Sequence, residues 1–436
     1  MKIVHCIGYY LPYHLGGTEV YVHSLALAQS KAGNNVKIIV PYYQIHIPKI
    51  YSYQGIQVVG FEEMPVPTEE VKNGIKAPGG ISNFRKILVD ENPDIIHFHE
   101  ISNSNGIGIF HFETAFQLKI KIVYTIHIAL FTCRTGNLYY KNKDICDGKM
   151  NELKCSICFL SNKGINSPFA EIASGVGLLL TGKLFTGKLK TVLNQPKFTR
   201  WQKERNKLIF TYSSKIIVIT EWYKKILEIN NYPLNKIKYI SQGLTGESKT
   251  SKHSQSNEFI NFVYVGRINK IKGIDKLIQT FISLANEKCT LTIFSPPSNE
   301  DFEVKLRSQT DKFQNVYWAG ILEYDQIVEK LSEFDALIIP SICAEMSPLV
   351  IPQAFSAEIP VIGTNHFGIK ELVRNEIDGL LFDPKDFDNL KELIVKIIAN
   401  PSILNKLKNS IVQQKSFEKV VIETNEVYTE VLKNAS

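Results

Sequence analysis

A carboxylate and an amide lie close together in the second half of the chain, at a predicted strand-to-helix junction. An apolar run ends at Pro340, a loop places Glu345, and a helix begins at about Pro348, with Gln353 inside it. A carboxylate accepts hydrogen bonds from sugar hydroxyls, and the first peptide N–H groups of a helix suit a phosphate or sugar oxygen. The junction therefore predicts a site for a polyhydroxylated, phosphorylated ligand. Backbone contacts to it are expected from Met346, Ser347, Leu349 and Val350.

Two cations follow an earlier strand of the same half. In the stretch 265–275 (VGRINKIKGID), Gly266 ends the predicted strand, and Arg267 and Lys272 lie in the loop and first helical turn. Ligands of parallel α/β sheets bind at the carboxyl ends of strands. Arginine offers a planar fork and lysine a compact charge, a pair suited to stabilising a leaving phosphate. We expect both to bind one diphosphate; the alternative is a pair of solvated surface cations.

A third candidate lies near the N-terminus, where Gly16 and Gly17 join a predicted strand to a helix. Glycine permits close backbone approach, and the helix N-terminus presents free N–H groups to an anion, so a phosphate fits there. The same pair of glycines also occurs as ordinary turn chemistry. The G-x-G-x-x-G pattern is absent from this turn, which argues against a nicotinamide dehydrogenase.

One polar loop, residues 133–158, contains four of the seven cysteines: Cys133, Cys146, Cys155 and Cys158. Four thiolates in one loop could bind a structural Zn²⁺ tetrahedrally, and the last two form a C-x-x-C half-site. The overall spacing is not that of a standard zinc finger, so unligated thiols and redox pairs remain alternatives. Because the N-terminal residues show no export signal, a disulfide framework is not expected.

Short apolar, β-branched runs alternate with amphipathic helical patterns along the chain, which is typical of βα units with parallel sheets. The alternation runs through residues 1–243, is interrupted by a polar stretch at 244–258, and restarts through residues 259–414. We therefore expect an α/β protein with two Rossmann-like, doubly wound domains facing across a cleft and joined by this linker.

Charge and hydropathy restrict the partners. The formal net charge of +7 does not repel anionic partners, and no apolar run is long enough to span a bilayer. Residues 183–207 combine eight basic residues with interleaved apolar ones and a single acid, Glu204. Such a segment could lie on an anionic membrane surface; the alternative is a pair of surface helices over the first domain. We expect a cytoplasmic protein without a nucleic-acid partner.

The ordered set of motifs resembles the retaining GT-B glycosyltransferases of family 4 (glycosyl transferases group 1). The resemblance runs from Lys2 to about Asp388. It includes, besides the motifs above, the stretches 93–99 (PDIIHFH), 125–127 (TIH), 368–373 (GIKELV) and 378–382 (DGLLF). It implies that the first domain binds the acceptor and the second the nucleotide sugar. It also implies that a helix in residues 415–436 returns to the first domain.

The resemblance assigns roles by position. Gly17 would approach the donor phosphates, while Arg267 and Lys272 would neutralise the leaving diphosphate. Glu345 would bind hydroxyls of the transferred sugar. His127 would line the cleft from the acceptor side, with a satisfied histidine at a strand end as the alternative.

One position departs from the family pattern. Gln353 stands where the family usually has a second glutamate that binds the ribose hydroxyls, and an amide lacks the charge that strengthens such bonds. We therefore expect an altered nucleotide preference with the chemistry retained.

The expected activity is hexosyl transfer from a nucleotide-diphospho-sugar to a hydroxyl of a glycan or lipid-linked acceptor. Retention of configuration is expected, without a catalytic metal. These reactions belong to polysaccharide and cell-envelope biosynthesis, and a membrane-bound acceptor would place the protein at the inner face of the membrane. Two alternatives remain. One is a non-catalytic nucleotide-sugar-binding protein, which Gln353 alone favours. The other is a GT-B epimerase, for which no matching pair of acid and base carboxylates is seen.

Overall fold

A computed structural model of the protein describes residues 1–43, 48–63, 68–101, 107–180, 187, 189–244, 259–297 and 300–433. The chain divides into two compact units. The N-terminal unit comprises Met1–Ser241 with Phe417–Ser436, and the C-terminal unit comprises Gln242–Ser416. Most of the expected linker, residues 245–258, lies outside the described residues. The α/β class with parallel sheets in both units is confirmed.

The N-terminal unit is built on an eight-stranded sheet of order β10-β9-β6-β5-β1-β2-β4-β3. All neighbouring pairs are parallel except β3 and β4. Its central strands β1 and β5 are almost wholly buried, which explains their continuous apolar sequences. The strands are β1 Lys2–Cys6, β2 Asn35–Tyr42, β3 Ile50–Tyr53, β4 Ile56–Glu62, β5 Ile95–Phe98, β6 Lys121–Ile126, β9 Lys215–Val218 and β10 Ile237–Tyr239, with a separate hairpin of β7 Tyr139–Tyr140 and β8 Asp144–Ile145.

Helices connect these strands. They are α1 Gly17–Lys31, α2 Glu69–Lys72, α3 Ile81–Glu91, α4 Ile109–Gln117, α5 Glu152–Asn162, α6 Ser167–Leu179, α7 Lys190–Leu193, α8 Gln195–Tyr212 and α9 Glu221–Ile229. Between β6 and β9 the chain inserts the cysteine loop and helices α5 to α8, which pack on one another.

The C-terminal unit has a six-stranded, wholly parallel sheet of order β13-β12-β11-β14-β15-β16. Its strands are β11 Ile260–Val265, β12 Cys289–Phe294, β13 Val316–Gly320, β14 Ala336–Ile339, β15 Val361–Thr364 and β16 Gly379–Phe382. Its helices are α10 Ile274–Ser283, α11 Asp301–Thr310, α12 Ile327–Leu331, α13 Val350–Ser356, α14 Phe367–Leu372, α15 Phe387–Ala399 and α16 Ser402–Lys408. Because β11 and β14 are neighbours, the loops that leave them meet at one edge of the sheet.

The last helix, α17 Phe417–Lys433, belongs to the N-terminal unit. Its apolar face enters the core formed by β1, β2 and α1, and Phe417, Val420, Val427 and Tyr428 are all buried there. The unit is therefore closed by a segment far along the chain from its other elements.

Part of the basic segment 183–207 is buried. Positions 183–186 and 188 lie outside the described residues. On α8, Lys197 and Arg205 are only 8% and 5% exposed. The Arg200 guanidinium forms an ion pair with the Glu152 carboxylate at 2.8 Å. The sequence shows a run of charges, but tertiary packing has turned part of that run inward. None of the described helices is both long and apolar enough to cross a membrane.

Candidate functional site

Gly273 brings two loops of the C-terminal unit together. After β11, a 3₁₀ turn at Lys270–Lys272 leads to Gly273, which has φ +70° and is the N-cap residue of α10. A Cβ atom on Gly273 would lie 2.1 Å from the Pro340 carbonyl oxygen, so only glycine permits this approach. The Ile342 and Cys343 N–H groups both donate to the Ile271 carbonyl oxygen, at 3.0 and 3.2 Å. The β11 and β14 loops are therefore fixed to each other.

This junction pairs Lys272 with Glu345. The Lys272 ammonium donates a hydrogen bond to Glu345 Oε1, and Ser341 Oγ donates to the same oxygen at 2.7 Å. Burial disfavours the ionised Glu345, but the Lys272 charge and the two hydrogen bonds outweigh it and lower the pKa of the carboxyl. Glu345 Oε2 has no hydrogen-bond donor within the described ranges. An ionised carboxylate is thus held through one oxygen, and the other is available to a ligand hydroxyl.

Arg267 lies in the same loop as Lys272 and is exposed. Its carbonyl accepts a hydrogen bond from the Tyr264 hydroxyl at 3.0 Å, which fixes the backbone beside Gly266. No acidic side chain of the described chain forms an ion pair with its guanidinium. The guanidinium is therefore free to bind an anion beside the Lys272 ammonium.

The loop that carries Glu345 is supported from behind by α14. The Gly368 N–H donates to the Glu345 carbonyl oxygen at 3.0 Å, and a Cβ on Gly368 would lie 2.2 Å from the Met346 carbonyl oxygen. His366, only 5% exposed, precedes this helix, and burial lowers its pKa. Neither of its ring nitrogens has a well-aligned hydrogen-bond partner among the described residues.

The predicted backbone donors surround the start of α13. Within the described chain, no backbone acceptor pairs with the N–H groups of Ser347, Leu349 or Val350. Gln353 lies on this short helix and is 4% exposed, without a hydrogen bond from its amide to any described residue. Glu345, Lys272 and Arg267 therefore share one sheet edge with the unpaired peptide donors of Ser347, Leu349 and Val350.

Carboxylates stand beside the glycines of the N-terminal unit. Gly16 caps α1, and a Cβ on it would lie 2.5 Å from Glu19 Oε2. Glu19 is buried and accepts from His14 Nδ1 at 2.7 Å. Burial, with the Glu19 charge, raises the pKa of Glu100. The Glu19 carboxylate at this helix terminus disfavours a phosphate and favours hydroxyl groups. The phosphate contacts of Gly16 and Gly17 therefore stay a prediction.

His127 follows β6 and is 7% exposed. Its Nε2 lies 3.2 Å from His99 Nδ1, whereas its Nδ1 has no partner among the described residues. Burial lowers the pKa of His127 to about 3, so the ring is neutral at physiological pH. A neutral imidazole with one unpaired nitrogen suits a hydroxyl ligand.

The four loop cysteines line one small cavity of about 20 Å³ in the N-terminal unit. Backbone N–H groups point at two of the sulfurs: Asn151 donates to Cys155 Sγ at 3.4 Å and Lys141 donates to Cys158 Sγ at 3.3 Å. No three of the four sulfurs lie within 4.8 Å of one another. The four thiols thus line one cavity, but their sulfur atoms are not arranged as a tetrahedral metal site.

Several contacts were not evident from the sequence. Ser341 and His366 border the Glu345 loop, and Glu19 and Glu100 border the glycine turn. In the sequence, these residues could have been selected only because they lie next to a motif. Loop residues that follow parallel strands meet at one edge of the sheet.

Comparison with known proteins gives two family matches. The model for Glycosyltransferase Family 4 matches residues 15–145, and that for Glycosyl transferases group 1 matches residues 247–414. An uncharacterized glycosyltransferase of Methanocaldococcus jannaschii is 25% identical over 238 residues, which cover 50% of this chain and 60% of the relative. The chain thus spans about 60% of the length of that curated relative.

Solved structures share the fold. Sucrose-phosphate synthase from Thermosynechococcus elongatus superimposes with a TM-score of 0.69 at 16% identity, covering 100% of both chains. Anabaena HepE in complex with UDP and glucose gives a TM-score of 0.63 at 15% identity, covering 99% of this chain and 100% of that chain.

Proposed function

The chain belongs to the GT-B glycosyltransferases of family 4 and group 1, and from this premise we propose that it transfers a hexose from a nucleotide-diphospho-sugar to a hydroxyl acceptor. The acceptor is a glycan or a lipid-linked glycan, and the anomeric configuration is retained. The observation that carries the proposal is the Lys272–Glu345 pair beside the exposed Arg267, at the carboxyl edge of one parallel sheet.

In this reaction the bond between the anomeric carbon and the diphosphate oxygen breaks, and the acceptor oxygen forms a new bond to that carbon. Arg267 and Lys272 stabilise the negative charge that develops on the leaving diphosphate. The proton of the acceptor hydroxyl passes to an oxygen of the leaving phosphate. The free oxygen of Glu345 accepts hydrogen bonds from hydroxyls of the transferred sugar, and so orients it.

The N-terminal unit supplies the acceptor side in this proposal. Glu19, Glu100 and the free nitrogen of His127 are hydrogen-bonding groups that suit hydroxyls.

A donor panel tests the proposal. The protein is incubated with UDP-, ADP- and GDP-linked hexoses, with and without lipid-linked glycan acceptors, and released nucleoside diphosphate is measured together with the anomeric configuration of the product. We expect acceptor-dependent release with one donor class and retention. Nucleotide-sugar binding, seen as a thermal shift, without release under any condition would instead support a binding protein. Conversion of the donor without acceptor would support an epimerase.

Gln353 is the observation that favours the binding-protein alternative. Its position on α13, buried and without an amide partner among the described residues, matches a side chain that meets a ligand. In Gln353→Glu we expect the ranking of nucleotides to change while turnover persists. An inactive native protein that gains turnover with this substitution would show that Gln353 suppresses the chemistry.

We further propose that the four-cysteine loop binds a structural zinc ion. Cys133, Cys146, Cys155 and Cys158 offer four soft donors around one cavity, and the N–H groups directed at two sulfurs stabilise thiolates. Burial raises the pKa of Cys155 to about 11, so this sulfur is a thiol until a cation replaces its proton. Zinc would draw the sulfurs together and order the loop.

A peripheral membrane contact, the remaining part of the proposal, is supported by α6 rather than by the basic segment. The buried side of this helix carries small residues, among them Ala170 and Gly177. Its opposite side is apolar and exposed at Phe169, Ile172, Val176 and Leu179, which are 48%, 66%, 40% and 81% exposed. An exposed apolar helix face of this kind fits the surface of a lipid bilayer that carries the acceptor.

A further inference from the structure

A series of buried, hydrogen-bonded histidine side chains extends from α1 to His127. His5 lies on β1 and is in register with His97 on the neighbouring strand β5. His99 follows β5, and His127 follows β6 on its other side. His5 Nδ1 lies 2.9 Å from His99 Nε2, and His99 Nδ1 lies 3.2 Å from His127 Nε2.

Gln29 lies at the opposite end of this histidine series from His127. It is fully buried on α1, and its Oε1 lies 2.8 Å from His5 Nε2. Its amide nitrogen donates to Asn425 Oδ1 on α17 at 3.0 Å. The amide oxygen therefore faces the histidine and can only accept.

A neutral imidazole has one donor nitrogen and one acceptor nitrogen. The tautomer of each histidine in the series therefore determines the tautomer of the next histidine. His5 Nε2–H donates to Gln29, which leaves His5 Nδ1 to accept from His99 Nε2–H. His99 Nδ1 then accepts from His127 Nε2–H. His127 Nδ1 therefore carries no proton, and it has no hydrogen-bond partner among the described residues.

The cluster is a hydrogen-bonded network and not an open set of metal ligands. One ligand atom from each of His5, His97 and His99 lies within 4.8 Å of the others, a spacing that would suit a cation. Yet every ring nitrogen of the three has a protein partner, including Tyr428 and Thr125 for His97 at 2.6 and 2.7 Å. Burial also keeps the rings neutral, and lowers the pKa of His5 to about 4.

We propose that Gln29 is a positioning residue that sets the tautomer of His127 through His5 and His99, so that His127 Nδ1 accepts a hydrogen bond from a hydroxyl of the sugar or glycan substrate. The role of the hydroxyl rests on the proposed function, whereas the tautomer does not. Gln29 touches no substrate and acts only through the imidazoles.

The tautomer is measured in the free, full-length protein labelled with ¹⁵N-histidine, by long-range proton–nitrogen correlation. We expect a pyridine-type Nδ1 and a pyrrole-type Nε2 for His127. Gln29→Leu removes the acceptor at this position and yields a mixture of tautomers for His5, His99 and His127. Gln117→Leu, at an exposed site on α4, is the matched control and leaves the spectrum unchanged. A pyrrole-type Nδ1 in the native protein, or an unaltered pattern in Gln29→Leu, would overturn the proposal.

A kinetic measurement then tests the hydroxyl contact. With the donor and acceptor that support turnover, Gln29→Leu should raise KM or lower kcat by up to roughly tenfold, the worth of one neutral hydrogen bond. If the tautomers are as proposed and no transfer occurs with any donor, the proposed function fails and the tautomer assignment stands. If transfer occurs and the tautomers are reversed, the assignment fails alone. If Gln29→Leu changes the tautomers but not the kinetics, His127 makes no substrate contact.

Discussion

The Lys272 ammonium donates a hydrogen bond to the Glu345 carboxylate although the two residues are 73 positions apart in the chain. The contact exists because β11 and β14 are neighbours and because Gly273 lets the Pro340 carbonyl approach. It leaves one cation shared with a carboxylate and a second cation, Arg267, exposed nearby. One small region thus presents groups for both a diphosphate and a sugar.

Replacing Glu345 by glutamine should impair the sugar contact while leaving nucleotide binding in place. The amide keeps the shape but loses the charge that strengthens hydrogen bonds to hydroxyls. We expect kcat/KM to fall about a hundredfold, and the affinity for the nucleoside diphosphate to change little. Glu333→Gln, at an exposed ion pair of the same unit, is the control and should behave as the native protein. If kcat/KM fell equally in both variants, the loss would not be specific to Glu345, and Glu345 would not belong to the site.

Replacing Arg267 by alanine should weaken binding of the diphosphate without weakening the fold, because the guanidinium is exposed and has no acidic partner in the described chain. The substitution removes a charge-assisted hydrogen bond to the diphosphate. We therefore expect the Kd of the nucleoside diphosphate to rise roughly tenfold or more. Calorimetric titration measures this. Lys270→Ala, exposed on the same turn, is the matched control. If the Kd is unchanged in Arg267→Ala, the diphosphate binds elsewhere.

Native protein should contain zinc in equimolar amount, measured by elemental analysis after purification without added metal. Cys155→Ser and Cys158→Ser should lose that metal and lower the midpoint of thermal unfolding, since the binding free energy of a structural zinc contributes to folding. Cys289→Ser changes a buried cysteine of the other unit and should keep the metal. Metal-free native protein with four titratable thiols in the loop would exclude the site.

Acidification below about pH 6.5 should destabilise the N-terminal unit, because its buried histidines stay neutral while the unfolded chain takes up protons. Burial lowers the pKa of His5 from 6.5 to about 4 and that of His127 to about 3. As pH falls below 6.5, the unfolded chain binds protons that the folded chain does not, so the free energy of unfolding decreases. For His5 alone the full loss by pH 4 is about 3 kcal/mol. Urea unfolding between pH 7 and pH 5 measures the slope; a flat profile would mean that these rings are charged in the folded protein.

Binding to lipid vesicles should depend on the apolar face of α6. In co-sedimentation with anionic vesicles, the double substitution Ile172→Ser and Leu179→Ser should lower the bound fraction several-fold, because two large exposed apolar side chains are lost. Ile377→Ser removes a similarly exposed side chain of the other unit and should have no effect. A native protein that stays in the supernatant would refute the membrane contact.

The sequence was sufficient to predict the family, the α/β class and the sheet edge that carries the polar motifs. The alternation of apolar runs requires parallel strands, and parallel strands bring the loops of residues 266–272 and 340–349 to one edge. The ion pair within that edge could not be predicted, since it depends on a close approach of Gly273 to a carbonyl oxygen.

Features that depend on tertiary packing were not predicted. The composition of the basic run at 183–207 does not reveal that Lys197 and Arg205 are buried once α8 packs on its neighbours. The histidine network depends on strand register, which places His5 beside His97. No local pattern encodes which strands become neighbours.

The position of α17 has a consequence for how the protein is made. The ribosome completes every strand of the large sheet and then the whole of the other unit before it synthesises the helix that carries Phe417 and Tyr428. Until then the nascent chain exposes an apolar groove over β1 and α1, and His97 lacks one of its partners. Of the two units, the one whose synthesis begins first is therefore completed last, and until then it exposes apolar surface of the kind that chaperones bind.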